Sequence, residues 1–92
     1  MEAYFVPSAI SALALAIPEA GKVSIVNYDF LGRAIATLAD RYRQAGRYSA
    51  TWSGTQNSGI LVSSGIYFTR LFVTNELGII KYAKTARLLL MR

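Results

Sequence analysis

Ninety-two residues, 53% of them hydrophobic and 16% charged, make one domain with enough apolar material to fold without covalent staples. The chain has no cysteine and no histidine, which excludes a disulfide framework, a Cys- or His-ligated metal and a Ser-His-Asp triad. Its net charge of +5 comes mostly from scattered arginines, a pattern that fits a solvated surface or attraction to an anionic cell-surface polymer better than nucleic-acid binding.

Residues 1–8 read as a lead-in, because Pro7 suits no central strand, and residues 9–92 as a single domain. Residues 9–17 alternate, with Leu15 and Ile17 on one face and alanines on the other, and are predicted to form a strand. They do not read as a signal peptide, since Glu2 and Pro7 precede them. No run reaches the roughly 18–20 apolar residues of a membrane span.

Pro18 to Gly21 is a turn. The second strand, 22–28, sets Val23, Ile25 and Asn27 on one face and Ser24, Val26 and Tyr28 on the other. If the first face is the core, Asn27 needs hydrogen-bond partners or a place at the rim. Asp29 and Gly32 bound a tight turn, in which the Asp29 carboxylate caps backbone amides and Gly32 supplies a positive φ. A short strand is expected over 34–38 and a basic loop over 39–46. A strand over 47–52 then brings in Trp52, the only tryptophan and the expected core anchor.

A turn-rich loop over 53–59 and a brief strand or crossover over 60–62 lead to the run 64–73, the richest in aromatic and β-branched residues. Gly65 followed by Tyr67 resembles a tyrosine corner, in which the phenol bonds backbone upstream. Residues 75–78 turn the last hairpin, and 79–92 return as a final strand with a break expected near Lys84. Short strands with regularly spaced turns predict an all-β, immunoglobulin-like antiparallel sandwich of about seven strands.

Four stretches, Ile17–Ile25, Tyr28–Leu38, Ala45–Gly59 and Ser64–Leu71, resemble in order the immunoglobulin-like domain of flagellar hook-capping proteins. They resemble more closely the related C-terminal sorting domain of proteins exported by the type IX secretion system. The likeness spans Ile17 to Arg92. The chain departs from the family at Asn27, where an apolar residue is preferred, at Val26, where a polar one is, and at Ser53, where an acid is.

Catalysis has little to stand on. The acids are Glu2, Glu19, Asp29, Asp40 and Glu76, with no pair placed for acid–base work. Gly54 and Gly59 lack the Lys-Ser/Thr of a phosphate loop. Neither an enzyme nor a cofactor is expected.

The distinctive feature is the strand 64–73. If Tyr67, Thr69 and Leu71 face the core, Ile66, Phe68 and Phe72 share the outer face with Arg70, and Val26 and Tyr28 lie on the matching face of the second strand. These six form a candidate interface. The resemblance implies a secreted or cell-surface bacterial module, handled by the export machinery or packed on a neighbouring domain. A self-associating subunit of a filament or appendage, or a hook-cap-like scaffold, is the alternative. A carbohydrate-binding module is a third reading, and it requires an exposed Trp52.

Overall fold

The period-two alternation of the sequence becomes strands throughout. The computed structural model describes residues 4–8 and 12–90. Over these the elements are β1 (Tyr4–Ser8), β2 (Ala12–Ile17), β3 (Gly21–Tyr28), β4 (Ala34–Arg43), β5 (Gly46–Thr51), β6 (Gly65–Thr74) and β7 (Ile80–Leu90). Residues 1–3, 9–11 and 91–92, assigned above to the lead-in and the first and last strands, lie outside the described residues. Among the described residues no helix is long and apolar enough to cross a membrane.

The strands form two antiparallel sheets, β1-β2-β5 and β4-β3-β6-β7. In immunoglobulin lettering these are A-B-E and C′-C-F-G, an immunoglobulin-like sandwich in which the strand after C stays beside it. Pro7 is accommodated because β1 is an edge strand and needs a partner on one side only. Gly21 opens β3 where it presses on β6: a Cβ there would lie 2.6 Å from the Thr74 carbonyl oxygen.

Two expectations need correction. Residues 39–43 are strand, not loop. The β3–β4 register skips at two points, so that Leu38 and Ile35 of β4 have no opposite partner on β3. These bulges break the alternation at the place where the sequence suggested an end. Second, β7 runs through Lys84 without a break, opposite Leu71. Lys84 falls in the inward phase but stays exposed, because β7 is an edge strand. An inward-phase lysine at such a site discourages further strand pairing. Residues 60–62, expected as a brief strand or a crossover, form the crossover, with a single bridge between Leu61 and Thr55.

Among the described residues the core consists of two clusters. Leu15, Ile17, Val23, Ile25, Leu71 and Val73 fill one end, and Ala36, Trp52, Tyr67, Leu88 and Leu90 fill the other. Between them, Asn27 and Thr69 face each other across β3 and β6, both fully buried. The Thr69 hydroxyl donates to Asn27 Oδ1 at 2.7 Å, while Asn27 Nδ2 has no partner among the described residues. Asn27 thus lies inside the core rather than at its rim.

Three loops share one backbone design. In 29–33, 56–60 and 75–79 the first residue's N–H donates to the fifth residue's carbonyl, and the fourth residue's N–H donates to the first residue's carbonyl. The fourth residue is a glycine with φ of 85°, 89° and 77° in turn, as a type I turn closed by a glycine bulge requires. In the two hairpins an Asx side chain completes the turn. Asp29 Oδ1 accepts from the N–H groups of Leu31 and Arg33, and Asn75 Oδ1 from those of Leu77 and Ile79.

Only Asp29 is charged. The Arg33 backbone N–H, together with the Arg33 guanidinium 2.7 Å from Oδ2 and the Leu31 N–H, holds the Asp29 carboxyl below its ordinary value of 3.8, against an opposing effect of desolvation. A depressed folded pKa stabilises the fold at pH values above the unfolded one, and that share is lost as the pH falls through the folded pKa. Asp29→Asn should keep the turn, as Asn75 does, and remove the titration. The wild type's advantage in unfolding free energy over this variant is expected to hold at neutral pH and shrink below pH 3.8. Urea denaturation across an acid series measures this.

Candidate docking face

The alternation of β6 decides which residues meet the core. Tyr67, Thr69, Leu71 and Val73 are buried, whereas Ile66 and Arg70 are exposed and Phe68 and Phe72 half-buried on the other side. The β3–β6 register sets Tyr28 opposite Phe68, Val26 opposite Arg70 and Ser24 opposite Phe72. Residues distant in sequence therefore form one outer patch of Val26, Tyr28, Ile66, Phe68, Arg70 and Phe72.

The adjacent strand extends it. Leu89, Arg87, Thr85 and Ala83 of β7 lie opposite Ile66, Phe68, Arg70 and Phe72. A break at Lys84 would have lost their phase, but the outward series from Ala83 to Leu89 alternates without interruption, the one register shift of the pair lying earlier, at Lys81. The Arg70 guanidinium stacks over the Phe72 ring, 4.7 Å from its centroid, a cation–π contact that holds the charge above the apolar strip. At the far corner Lys22 meets Asp40 at 3.3 Å, with both side chains more than half exposed, and such a pair adds little stability. Aromatic rings interleaved with arginine make up the composition found at protein-interface centres.

The residues read as structural sit beneath or beside this patch. Trp52 is buried, and its indole N–H donates to the Thr55 carbonyl at 2.8 Å. Its ring meets Tyr67 edge to face at 5.2 Å and 71°. The Tyr67 hydroxyl donates to the Ser63 carbonyl, four residues upstream. This is the tyrosine corner, placed near the start of strand F. Gly65 opens β6, and an added Cβ there would meet nothing within 4 Å. Asn57 pins the following loop to β4: its N–H donates to the Ile35 carbonyl, and its Oδ1 accepts from the Thr37 N–H. Burial of Trp52 removes the stacking platform on which the carbohydrate-binding reading depended.

No family model matches the chain, and no curated protein matches it. Among solved structures, the fold is similar to part of PorZ, described as an essential bacterial surface component of the type-IX secretion system of Porphyromonas gingivalis. The similarity has a TM-score of 0.56 at 20% identity and covers 98% of this chain. It covers 11% of PorZ, so the chain corresponds in length to one small part of that protein.

The two faces of β6 should respond differently to the same substitution. Leu71→Ser, at a fully buried site, is expected to cost about 3–5 kcal/mol. Phe68→Ser and Phe72→Ser should each cost about 1–2 kcal/mol, because part of each ring already meets water. Urea unfolding of the three variants measures the order, and a Phe68→Ser chain as unstable as Leu71→Ser would reverse the faces.

Proposed function

We propose that this chain is a non-catalytic β-sandwich module of an exported bacterial protein, acting as a C-terminal sorting or cell-surface attachment domain of the type IX kind. The observation that carries the reading is a coincidence of two independent likenesses. An ordered set of sequence stretches from Ile17 to Arg92 resembles the sorting domains. The whole described sandwich is similar in fold to one part of a surface component of that same secretion system.

In this reading the β4-β3-β6-β7 sheet presents its outer face to the export machinery or to a neighbouring domain of the same polypeptide. Phe68, Phe72, Val26 and Tyr28 supply the apolar contact. Arg70 and Arg87, both exposed, select a partner with acidic groups around its own apolar centre. An upstream cargo does the chemistry, and the module carries the address.

The test is a fusion. The 92-residue chain, placed after a reporter protein in a bacterium with a type IX system, should bring the reporter to the cell surface. In an otherwise identical strain without the system the reporter should stay inside. Equal distribution of the reporter in both strains would refute the reading.

A further inference from the structure

An unpaired sheet edge is a place where another strand can add, and proteins guard such edges with proline, bulges or inward-pointing charge. Four strands here have a free edge: β1 and β5 in one sheet, β4 and β7 in the other. Three of them are guarded. β1 contains Pro7, and β7 carries Lys84 in its inward phase. β4 has two register shifts, is bonded by Asn57 at Ile35 and Thr37, and sets Arg41 and Arg43 in its inward phase, opposite Val23 and Gly21.

β5 has none of these guards. It pairs with β2 over all six of its residues without a shift, and its inward side chains, Tyr48 and Ala50, pack on the aliphatic cluster. Among the described residues no backbone group bonds its other edge. In a constant-type immunoglobulin domain strand D takes that place beside E, whereas here the strand after C stays beside C. A narrow cleft between β5 and β4, lipped by Ala39, Arg43, Tyr48 and Ala50, runs from this flank to the side chains of Leu15 and Ile25.

The flank is also charged. β4 ends at Arg43 and β5 begins at Gly46, so Arg41, Arg43 and Arg47 gather about one corner. Arg41 and Arg47 are exposed, and Arg43 lies over the Tyr48 ring, 4.9 Å from its centroid. Among the described residues the ion pairs are Lys22 with Asp40 and Arg33 with Asp29. The three corner arginines therefore meet no carboxylate, although Glu19 and Glu76 stand on turns at the same end.

We propose that β5 accepts an added strand from another polypeptide: an extended segment, antiparallel to β5, with small apolar residues facing the cleft and acidic residues at its C-terminal end. The unpaired edge selects an extended backbone, whose N–H and carbonyl groups complete the ladder. Antiparallel pairing is the more stable of the two directions, and it brings the C-terminal end of the added strand to the Gly46 corner, where the arginines stand. A second copy of this chain fits less well, because it brings the same net charge of +5 and the same arginines. The site lies on the edge of the β1-β2-β5 sheet and does not rest on the sorting reading, which uses the outer face of the other sheet.

The probe is a short synthetic peptide of alternating threonine and valine that ends in two glutamates, titrated into the isotope-labelled full chain and followed by NMR. Alternate amides of β5, those directed away from β2, should shift and gain protection from hydrogen exchange. The same peptide in reversed order, with the glutamates first, should bind about three- to tenfold more weakly. The original peptide should lose a similar factor against Arg41→Gln with Arg47→Gln. Both altered sites are exposed, so circular dichroism should show an unchanged fold. Methylating one of the two alternate sets of peptide nitrogens should abolish binding, and methylating the other should not. A peptide that leaves the β5 amides unchanged, or that binds equally well in both orders, would overturn the proposal. Protection of β5 that rises with the concentration of the chain alone would give the edge to a second copy and overturn it as well.

Discussion

The arrangement depends on a hydrogen bond between two side chains in the middle of the core. Asn27 and Thr69 are directly opposed across β3 and β6, and the bond joins Thr69 Oγ1 to Asn27 Oδ1 at 2.7 Å. Apolar residues on either side would tolerate a sliding strand, since one valine replaces another at little cost. A buried polar pair does not, because a shift separates donor from acceptor and leaves both unsatisfied. A one-residue slip would also turn every side chain of β6 to the opposite face. The bond thus keeps Tyr67, Leu71 and Val73 inside, and it is the same constraint that keeps Ile66, Phe68 and Phe72 outside.

Its position explains the division of the core. The aliphatic cluster around Leu71 lies on one side of the pair and the aromatic cluster around Trp52 and Tyr67 on the other. Leu38, presented by a bulge in β4, packs against both clusters and links them across the polar pair. The tyrosine corner and the Trp52 indole bond then fasten the aromatic end to the 53–64 loop. The Asx-capped turns close the β3–β4 and β6–β7 hairpins and leave their apolar tips in water. One scaffold thus presents a broad outer face on the four-stranded sheet and apolar turn tips at its two ends.

Most of this was legible wherever the alternation was clean. The two faces of β3 and β6 follow from period two alone, and so does the place of the candidate interface, while the burial of Trp52 was expected from its being the only tryptophan. The Asp29 turn and the Tyr67 corner were readable because each rests on a local side-chain-to-backbone bond encoded within a few residues. What was lost lay where alternation fails for a physical reason. The bulges at Ile35 and Leu38 hid the second half of β4. Lys84, in the inward phase of an edge strand, imitated a break and concealed Arg87 and Leu89 on the outer face. A groove at the 29–33 end was not visible at all, since nothing in the sequence places Leu61 near Leu31. The resemblance to sorting domains runs along the sequence, whereas the likeness to PorZ is one of fold.

A double-mutant cycle on Asn27 and Thr69 tests the central claim most directly. Thr69→Val should cost about 1–3 kcal/mol by leaving Asn27 Oδ1, as well as Nδ2, without a partner in the core, whereas Asn27→Leu with Thr69→Val should recover much of that loss while making amide hydrogen exchange along β3 and β6 faster. The account predicts a coupling of about 1 kcal/mol or more between the two sites, read from urea unfolding, and faster amide hydrogen exchange along both strands in the double variant. Additive costs, with unchanged exchange, would contradict it.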